Sequence, residues 1–311
     1  MEPEDRGVAE ALQVLDVVVV GSANVDLVLP VQRIPRPGET VLAGVMTRGP
    51  GGKGANQAVA AARAGARTAM VVALGSDDGG ALLREALTGS GVDLSLAATG
   101  DAPTGTAIIT EDESGENSIV VAPGANGELT LTTEAVAAIR EAKIVLSQLE
   151  IPFPTVQAAA AASSYFILNA APAAELPDEL LAEIDLLVVN ETESEAIAGP
   201  DRRALLKKVP AAVVTLGGAG AVILTREADE IAVPGVPVEV VDTTAAGDTF
   251  CGVLAAALAA RSTDDAITGS DLTNAVRRAN VAASLSVQAA GAIPSVPHGD
   301  AIDARYAEVY L

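Results

Sequence analysis

The chain alternates short, solidly apolar runs of β-branched residues with longer stretches in which small apolar residues recur every three or four positions. Val14 to Val20 is such a β-branched run closing on Gly21-Ser22, the pattern of a central parallel strand. Residues 25–48 differ: Pro30, Pro35, Pro37 and Gly38 punctuate short alternating segments, which predicts small antiparallel strands rather than helix. A helix is predicted from about Gly54 to Ala64, then a strand over 68–73 and a helix over 78–90. Residues 104–122 read as paired strands turning at Glu111-Asp112-Glu113-Ser114-Gly115.

From there strand and helix alternate. Helices are predicted near 133–141, 153–163 and 177–183, between strands at 143–147, 165–169 and 185–190. A shorter helical stretch leads to a strand at 211–216, and Ala221–Thr225 with Glu230–Val233 flank Arg226-Glu227-Ala228-Asp229 as a hairpin, although no Asn-Gly or Asp-Gly pair marks the turn. Two long Ala-rich helices, roughly 247–260 and 271–288, precede a last helix near 300–310. Such alternation implies an α/β fold: three layers, a doubly wound and mostly parallel sheet with helices on both faces. Residues 1–311 then form a single domain, and the excursions 25–48 and 104–122 form a small β-sheet lid over the ligand cleft. Ligands in such sheets gather beyond the carboxyl ends of the strands.

Composition narrows the functions. Half of the residues are apolar, yet there are only three Phe, three Tyr and no Trp, so the core is built from Ala, Val, Leu and Ile. The formal charge of −22 repels nucleic acid and anionic membrane, and no basic cluster or aromatic platform offsets it. An anionic ligand must therefore be met locally, by backbone N–H groups, one or two cationic side chains and metal ions. The single Cys251 excludes an intrachain disulfide and suits a reducing cytosol; its place in an Ala/Leu-rich helix reads as a buried small residue. No apolar run approaches 20 residues, and the acidic leader Met1 to Gln13 lacks a signal-peptide core, which points to a soluble, cytoplasmic protein. The three Met read as core filler and His298 as a surface residue.

Five segments carry candidate chemistry. Val241-Asp242-Thr243-Thr244-Ala245-Ala246-Gly247-Asp248-Thr249-Phe250 follows a Val-rich run and opens a long helix. Small residues at Ala245, Ala246 and Gly247 let a ligand approach the backbone, and unpaired helix-start N–H groups make an anion hole for a phosphate under transfer. Asp248, in the first turn, can accept a proton from an attacking hydroxyl. An ordinary N-capping aspartate is the plain alternative; the Ala-Ala-Gly step before Asp248 favours the functional reading.

Gly51-Gly52-Lys53-Gly54-Ala55-Asn56 is not a P-loop, because the Gly-Lys-Ser/Thr ending is missing. A simple turn accounts for its glycines but not for Lys53 and Asn56, an ammonium and an amide that suit several sugar hydroxyls. Gly21-Ser22-Ala23-Asn24-Val25-Asp26 places Asn24 and Asp26 at the carboxyl end of the first strand, where a dehydrogenase would carry Gly-x-Gly-x-x-Gly; a turn is the alternative. Asn190-Glu191-Thr192-Glu193 follows a strand and suits water-coordinated Mg²⁺ and phosphate oxygens, or else simple helix capping. Thr215-Leu216-Gly217-Gly218-Ala219-Gly220 would let a nucleotide lie against backbone, or is only a turn. Acid pairs such as Glu191/Glu193 and Asp77/Asp78 read more readily as solvated surface than as glycosidase dyads.

Together these segments resemble the ribokinase family of sugar and nucleoside kinases, the phosphofructokinase-B type, over nearly the whole chain to Gly291-Ala292-Ile293-Pro294-Ser295-Val296-Pro297. Gly-Gly-Lys-Gly-Ala-Asn-Gln with Pro37-Gly38-Glu39-Thr40 before it is similar to ribokinases specifically, as are Gln148-Leu149-Glu150, Asn169-Ala170-Ala171-Pro172-Ala173 and Asn190-Glu191-Thr192-Glu193. The resemblance implies sugar contacts from Asn24, Asp26, Gly52, Lys53, Gly54, Asn56 and Glu150, with Asp248 as base. It implies ATP contacts from Asn190, Thr215, Gly217, Gly220, Gly247 and Asn280, and Mg²⁺ held through water by Glu193. It also implies an activating K⁺ ligated by Asp242, Thr244, Ser286, Ala289, Gly291 and Ser295, several through carbonyls. Two stretches, 190–215 and the helix before Tyr165, are shorter than the family pattern, which trims peripheral helices.

The reaction so implied is ATP-dependent phosphorylation of the primary hydroxyl of ribose, giving ribose 5-phosphate. A kinase for deoxyribose, fructose or a nucleoside is the alternative within the same chemistry. A non-catalytic sugar-binding regulator is disfavoured by Asp248 and its anion-hole step, and an NAD-dependent dehydrogenase by the missing fingerprint. A lid with one exposed apolar face would make a homodimer surface.

Overall fold

Four consecutive valines form β1 (Val17–Val20), all fully buried. The strand is hydrogen-bonded to parallel neighbours on both sides, and a strand covered on both faces has no polar side to present. The structure, a computed structural model, describes residues 14–113, 115–227, 230–262 and 265–311. The leader Met1 to Gln13, Ser114 of the first predicted turn and Ala228-Asp229 of the second lie outside the described residues.

After β1 come β2 (Asn24–Val31), β3 (Thr47–Gly51) and α1 (Lys53–Arg63). β4 (Thr68–Val71), β5 (Ala73–Leu74), α2 (Asp78–Gly89) and β6 (Ala98–Thr99) follow. Then come β7 (Gly105–Asp112), β8 (Asn117–Ala122), α3 (Thr133–Glu141), β9 (Ile144–Ser147) and α4 (Phe153–Ala162). The chain continues with β10 (Phe166–Asn169), α5 (Asp178–Leu181), β11 (Leu186–Asn190) and α6 (Glu191–Ala198). It ends with β12 (Ala211–Thr215), β13 (Gly220–Thr225), β14 (Ile231–Pro234), α7 (Ala246–Ala259), α8 (Gly269–Ser286) and α9 (Gly299–Tyr310).

Eight strands make the main sheet in the order β14-β13-β12-β11-β10-β9-β1-β4. β4 through β12 pair in parallel, and the predicted hairpin of β13 and β14 supplies the antiparallel edge. Successive sheet residues feed opposite layers, as the two-residue period of a strand requires. Val17 and Val19 share a buried cluster with residues of α1, α7 and α8, whereas Val18 and Val20 share the other with residues of α3 and α4. The three-layer α/β expectation therefore holds.

The two excursions form one four-stranded sheet, ordered β3-β2-β7-β8. Each excursion pairs antiparallel within itself, but β2 and β7 run parallel, which the sequence pattern did not indicate. The main-sheet strand β4 and helices α1 and α2 lie between them in the chain, and such a crossover returns the second strand in the same direction. The predicted strand 68–73 divides: β4 belongs to the main sheet, while β5 pairs with β6 in a separate two-stranded piece. Met70 is buried as expected, but Met46, beside the lid, is exposed rather than core filler. Among the described residues no helix is long and apolar enough to cross a membrane.

Candidate active site

At the carboxyl edge of the main sheet, helix α7 begins on an unusual step. Ala245 precedes it with φ 59°, in the left-handed region, and no side chain caps the helix. The N–H of Ala246 donates to Thr243 O at 3.2 Å, so this amide of the expected anion hole is committed within the chain. Gly247 and Asp248 follow in the first turn, their amides without a capping side chain, beside a cleft of about 170 Å³ that Lys53, Glu193 and Asp248 also line.

The Asp248 carboxylate is buried and doubly held: Oδ2 accepts from Asn56 Nδ2 and Oδ1 from Gln57 Nε2, both at 2.9 Å. Asn56 Oδ1 is buried without a partner among the described residues, an acceptor waiting for a donor.

The glycines before α1 have a geometric reason. Gly52 has φ 92°, and a Cβ there would fall 2.6 Å from Asn24 N; one at Gly54 would fall 2.6 Å from Ser22 N. A Cβ at Gly51 would collide with the Asp26 carboxylate. The loop is thus pressed onto the β1–β2 connection, and Gly54 has no room there for a side chain. Glu150 Oε2 accepts from Ser22 Oγ at 2.6 Å and from the Lys53 backbone N–H at 3.3 Å, tying three segments together.

Asn24 lies in β2, where its Oδ1 accepts from Asn126 Nδ2 at 2.8 Å. Asn126 also bonds both backbone groups of Ala23, accepting from its N–H at 2.9 Å and donating to its O at 3.1 Å. Asp26 stands within β2, not in a turn; burial, with the Glu150 and Asp248 charges adding to it and Lys53 opposing, lifts its pKa to about 7. Burial alone would lower Lys53, yet the charges of Asp248, Glu150 and Glu193 hold its ammonium above the ordinary value.

Glu193, expected either at the surface or on Mg²⁺, is buried. It forms a capping box with Asn190: Asn190 Oδ1 accepts from Glu193 N, and Glu193 Oε2 from Asn190 N, both at 2.8 Å. Burial raises its pKa, against the Asn190 bond and Lys53. Asp77 is exposed, as expected of solvated surface; it also accepts from Thr104 N at 3.0 Å and caps α2, which fastens the lid's second excursion to the body.

A second groove of about 450 Å³ lies beside α7 between β12–β14 and α8, lined by Thr215, Gly217, Gly220, Gly247, Val236 and Asn280. Small residues give it a flat backbone wall: Gly217 has φ 53° and Gly220 φ 100°. Asn280 Nδ2 donates to Val233 O and Pro234 O, each at 3.2 Å, leaving its Oδ1 for a ligand.

Of the six expected K⁺ ligands, Asp242, Thr244 and Gly291 are joined by hydrogen bonds. Asp242 Oδ1 accepts from Thr244 N at 2.8 Å and Oδ2 from Gly291 N at 2.7 Å, joining the 242–244 loop to the turn after α8. Burial pulls the Asp242 carboxyl upward, yet the bonds from Thr244 and Gly291 together outweigh it and hold it below its ordinary value. Ser286 Oγ and Ser295 Oγ donate to Ala283 O and Ala292 O, which leaves their oxygen lone pairs available, and Ser286 O accepts from Ala289 N at 3.2 Å. What these residues can offer is hydroxyl and backbone carbonyl oxygen with one carboxylate, an oxygen-only donor set of the kind a large, hard cation takes.

Gln57, quoted only as the end of the glycine motif, and Asn126, not singled out at all, both bond expected site residues, Asp248 and Asn24. Gln57 directly follows the Gly-Lys-Gly-Ala-Asn run, whereas no local signal marked Asn126. Cys251 is buried as expected, its thiol pushed far up by burial and the Asp248 charge, and His298 is exposed.

The family described as pfkB family carbohydrate kinase matches residues 14–299. The chain is 37% identical over 297 residues to a ribokinase of Haemophilus influenzae, covering 90% of this chain and 94% of that protein. It is 40% identical over 305 residues to a bifunctional ribokinase/ribose-5-phosphate isomerase A of Fructilactobacillus sanfranciscensis, with 92% of this chain spanning 55% of that protein. In structure it is similar to an Arabidopsis thaliana ribokinase complexed with ribose and ATP, with TM-score 0.85, 34% identity, and coverage of 94% of this chain and 98% of that one.

Proposed function

The chain belongs to the pfkB family of carbohydrate kinases, and from that premise we propose that it transfers the γ-phosphoryl group of ATP to the primary hydroxyl of ribose, giving ribose 5-phosphate and ADP. One observation carries the reading: the buried Asp248 carboxylate at the uncapped start of α7, held by Asn56 and facing a cleft shared with Lys53.

Ribose lies beneath the lid, with Asp26 accepting from its hydroxyls, Lys53 donating, and the orphan Asn56 Oδ1 accepting a further hydroxyl. ATP lies along the glycine-walled groove, its base towards Asn280 and its phosphates towards Gly247. Asp248 takes the proton of the primary hydroxyl as the oxygen attacks the γ-phosphorus in line. Charge on the transferring group is met by the amides of Gly247 and Asp248 and by Lys53. Mg²⁺ would be carried mainly by ATP, reached through water by the free oxygen of Glu193, and would neutralise phosphate charge. K⁺ would be held by the oxygens of the 242–244 and 286–295 segments and would favour the anion hole beside it. Lid closure excludes the water that would otherwise hydrolyse ATP.

Ile108, Ile119, Val120 and Val121 leave apolar surface exposed on the lid, and this supports a homodimer formed through it. The acidic chain with one buried cysteine suits the cytoplasm. A coupled ADP-release assay against a panel of pentoses, hexoses and nucleosides, with and without K⁺, tests the reading. Ribose preferred and K⁺-stimulated is the expected result; preference for a nucleoside or no ADP release with any sugar overturns it. Sedimentation of the protein and its Val120→Lys variant tests the dimer.

A further inference from the structure

Three motif residues have no role in the mechanism above: Gln57, Gln148 and Asn169. The fold brings all three together behind Asp248. Gln57, fully buried, donates from one nitrogen to both Asp248 Oδ1 at 2.9 Å and Asn169 Oδ1 at 3.1 Å. Its own Oε1 accepts from Gln148 Nε2 at 2.7 Å, and Gln148 is also fully buried. Asn169 is anchored in turn, its Nδ2 donating to Val188 O at 3.3 Å.

An amide has a donor end and an acceptor end, so this network has a direction. Turning Gln57 over would set its oxygen against two acceptor oxygens and its nitrogen against the nitrogen of Gln148. The donor end is therefore locked onto Asp248. With Asn56 on Oδ2 and Gln57 on Oδ1, the carboxylate is fixed at both oxygens, and each keeps a lone pair for the cleft. Asn56 can reach the substrate; Gln57, with no exposed surface, acts only through Asp248.

We propose that Gln57, held in one orientation by Gln148 and Asn169, is a positioning residue that aims the Asp248 carboxylate at the substrate hydroxyl. The inference rests on the kinase reading.

The test compares steady-state kinetics of wild type, Asp248→Asn, Gln57→Leu, Gln57→Glu and Gln148→Leu with ribose and ATP. Gln57→Leu removes the donor at similar volume and is expected to lower kcat by about 10- to 100-fold, as small misplacements of a catalytic group do, with the ribose KM within about threefold. Gln148→Leu, which removes the donor to Gln57 Oε1 but leaves its nitrogen facing Asp248 and Asn169, gives a smaller fall of the same kind. Gln57→Glu sets a second carboxylate against Asp248 and moves the acid limb of the kcat profile to higher pH. Wild-type kcat in Gln57→Leu, or kcat and KM falling away together in step with thermal stability, overturns the inference. If Gln57→Leu does not fold, the near-isosteric Gln57→Glu decides, and an unchanged pH profile overturns it. A wild type inert towards every sugar sinks the kinase reading and this inference with it; an active wild type beside a fully active Gln57→Leu sinks the inference alone.

Discussion

Asn56 Nδ2 donates to Asp248 Oδ2 at 2.9 Å, joining residues 192 positions apart at the starts of two helices, α1 and α7. The two helices pack along their length, so the glycine loop before one and the left-handed step before the other are fixed by the same core. Asn56 uses its donor on Asp248 and leaves its buried acceptor unpartnered, which under the proposed function makes it the link between substrate and base.

Replacing Asp248 with Asn should lower kcat by about 10² to 10⁴ while leaving the fold intact, since the amide still fills the site but cannot take a proton. Kinetics with ribose and a thermal melt check both halves; near-normal turnover removes Asp248 from its role.

Asp26 should show itself twice in pH dependence. Its folded pKa is about 7 against the ordinary 3.8, chiefly through burial. Sugar hydroxyls need the ionised form as acceptor, so the ribose KM should rise as pH falls through about 7. In Asp26→Asn the KM should be raised and flat. For stability the sign is opposite: the unfolded carboxyl ionises from about 4 upward while the folded one resists, so the native state loses stability as pH rises through that window. Asp26→Asn should therefore raise the melting temperature at pH 8, corresponding to about 1–4 kcal/mol, and not at pH 4. A melt of both proteins at the two pH values is the measurement.

Gly52→Ala should damage folding and site together. With φ 92° and a Cβ 2.6 Å from Asn24 N, the new methyl group meets backbone that cannot swing aside. A loss of about 1–3 kcal/mol is expected, with a higher ribose KM because Asn24 and Lys53 are displaced. Unchanged melting and KM would show the loop to be looser than this packing implies.

Asp242→Asn should blunt the response to K⁺. The Asp242 carboxylate holds Thr244 N and Gly291 N at 2.8 and 2.7 Å, and the amide can accept only one of these bonds. Wild type should be stimulated by K⁺ more than by Li⁺, and the variant by neither. Thermal shift with added K⁺, measured without substrates, checks binding apart from turnover.

Much of this was legible locally. Runs such as Val17–Val20, and small residues at helical spacing such as those of α7, reveal strand and helix, because a period of two or of 3.6 residues is a property of a few neighbouring positions. Glycines at 51 and 52 and the small residues before Asp248 are legible for the same reason: a backbone that must approach closely or turn left-handed needs small side chains at that spot. Glu193 was misread as solvated, since Asn190 and Glu193 look alike in sequence whether their capping box is exposed or buried.

The sequence alone therefore determined the α/β alternation, the two lid excursions and the candidate segments whose roles are proposed above. Only the tertiary structure decided that β2 and β7 pair in parallel, that Asn126 buttresses Asn24, and that Gln57 reaches Asp248 across 191 positions. The reason is physical: local patterns record which face of an element is buried, but not which other element covers it. That choice is made by the strand order and by the helices packed onto it.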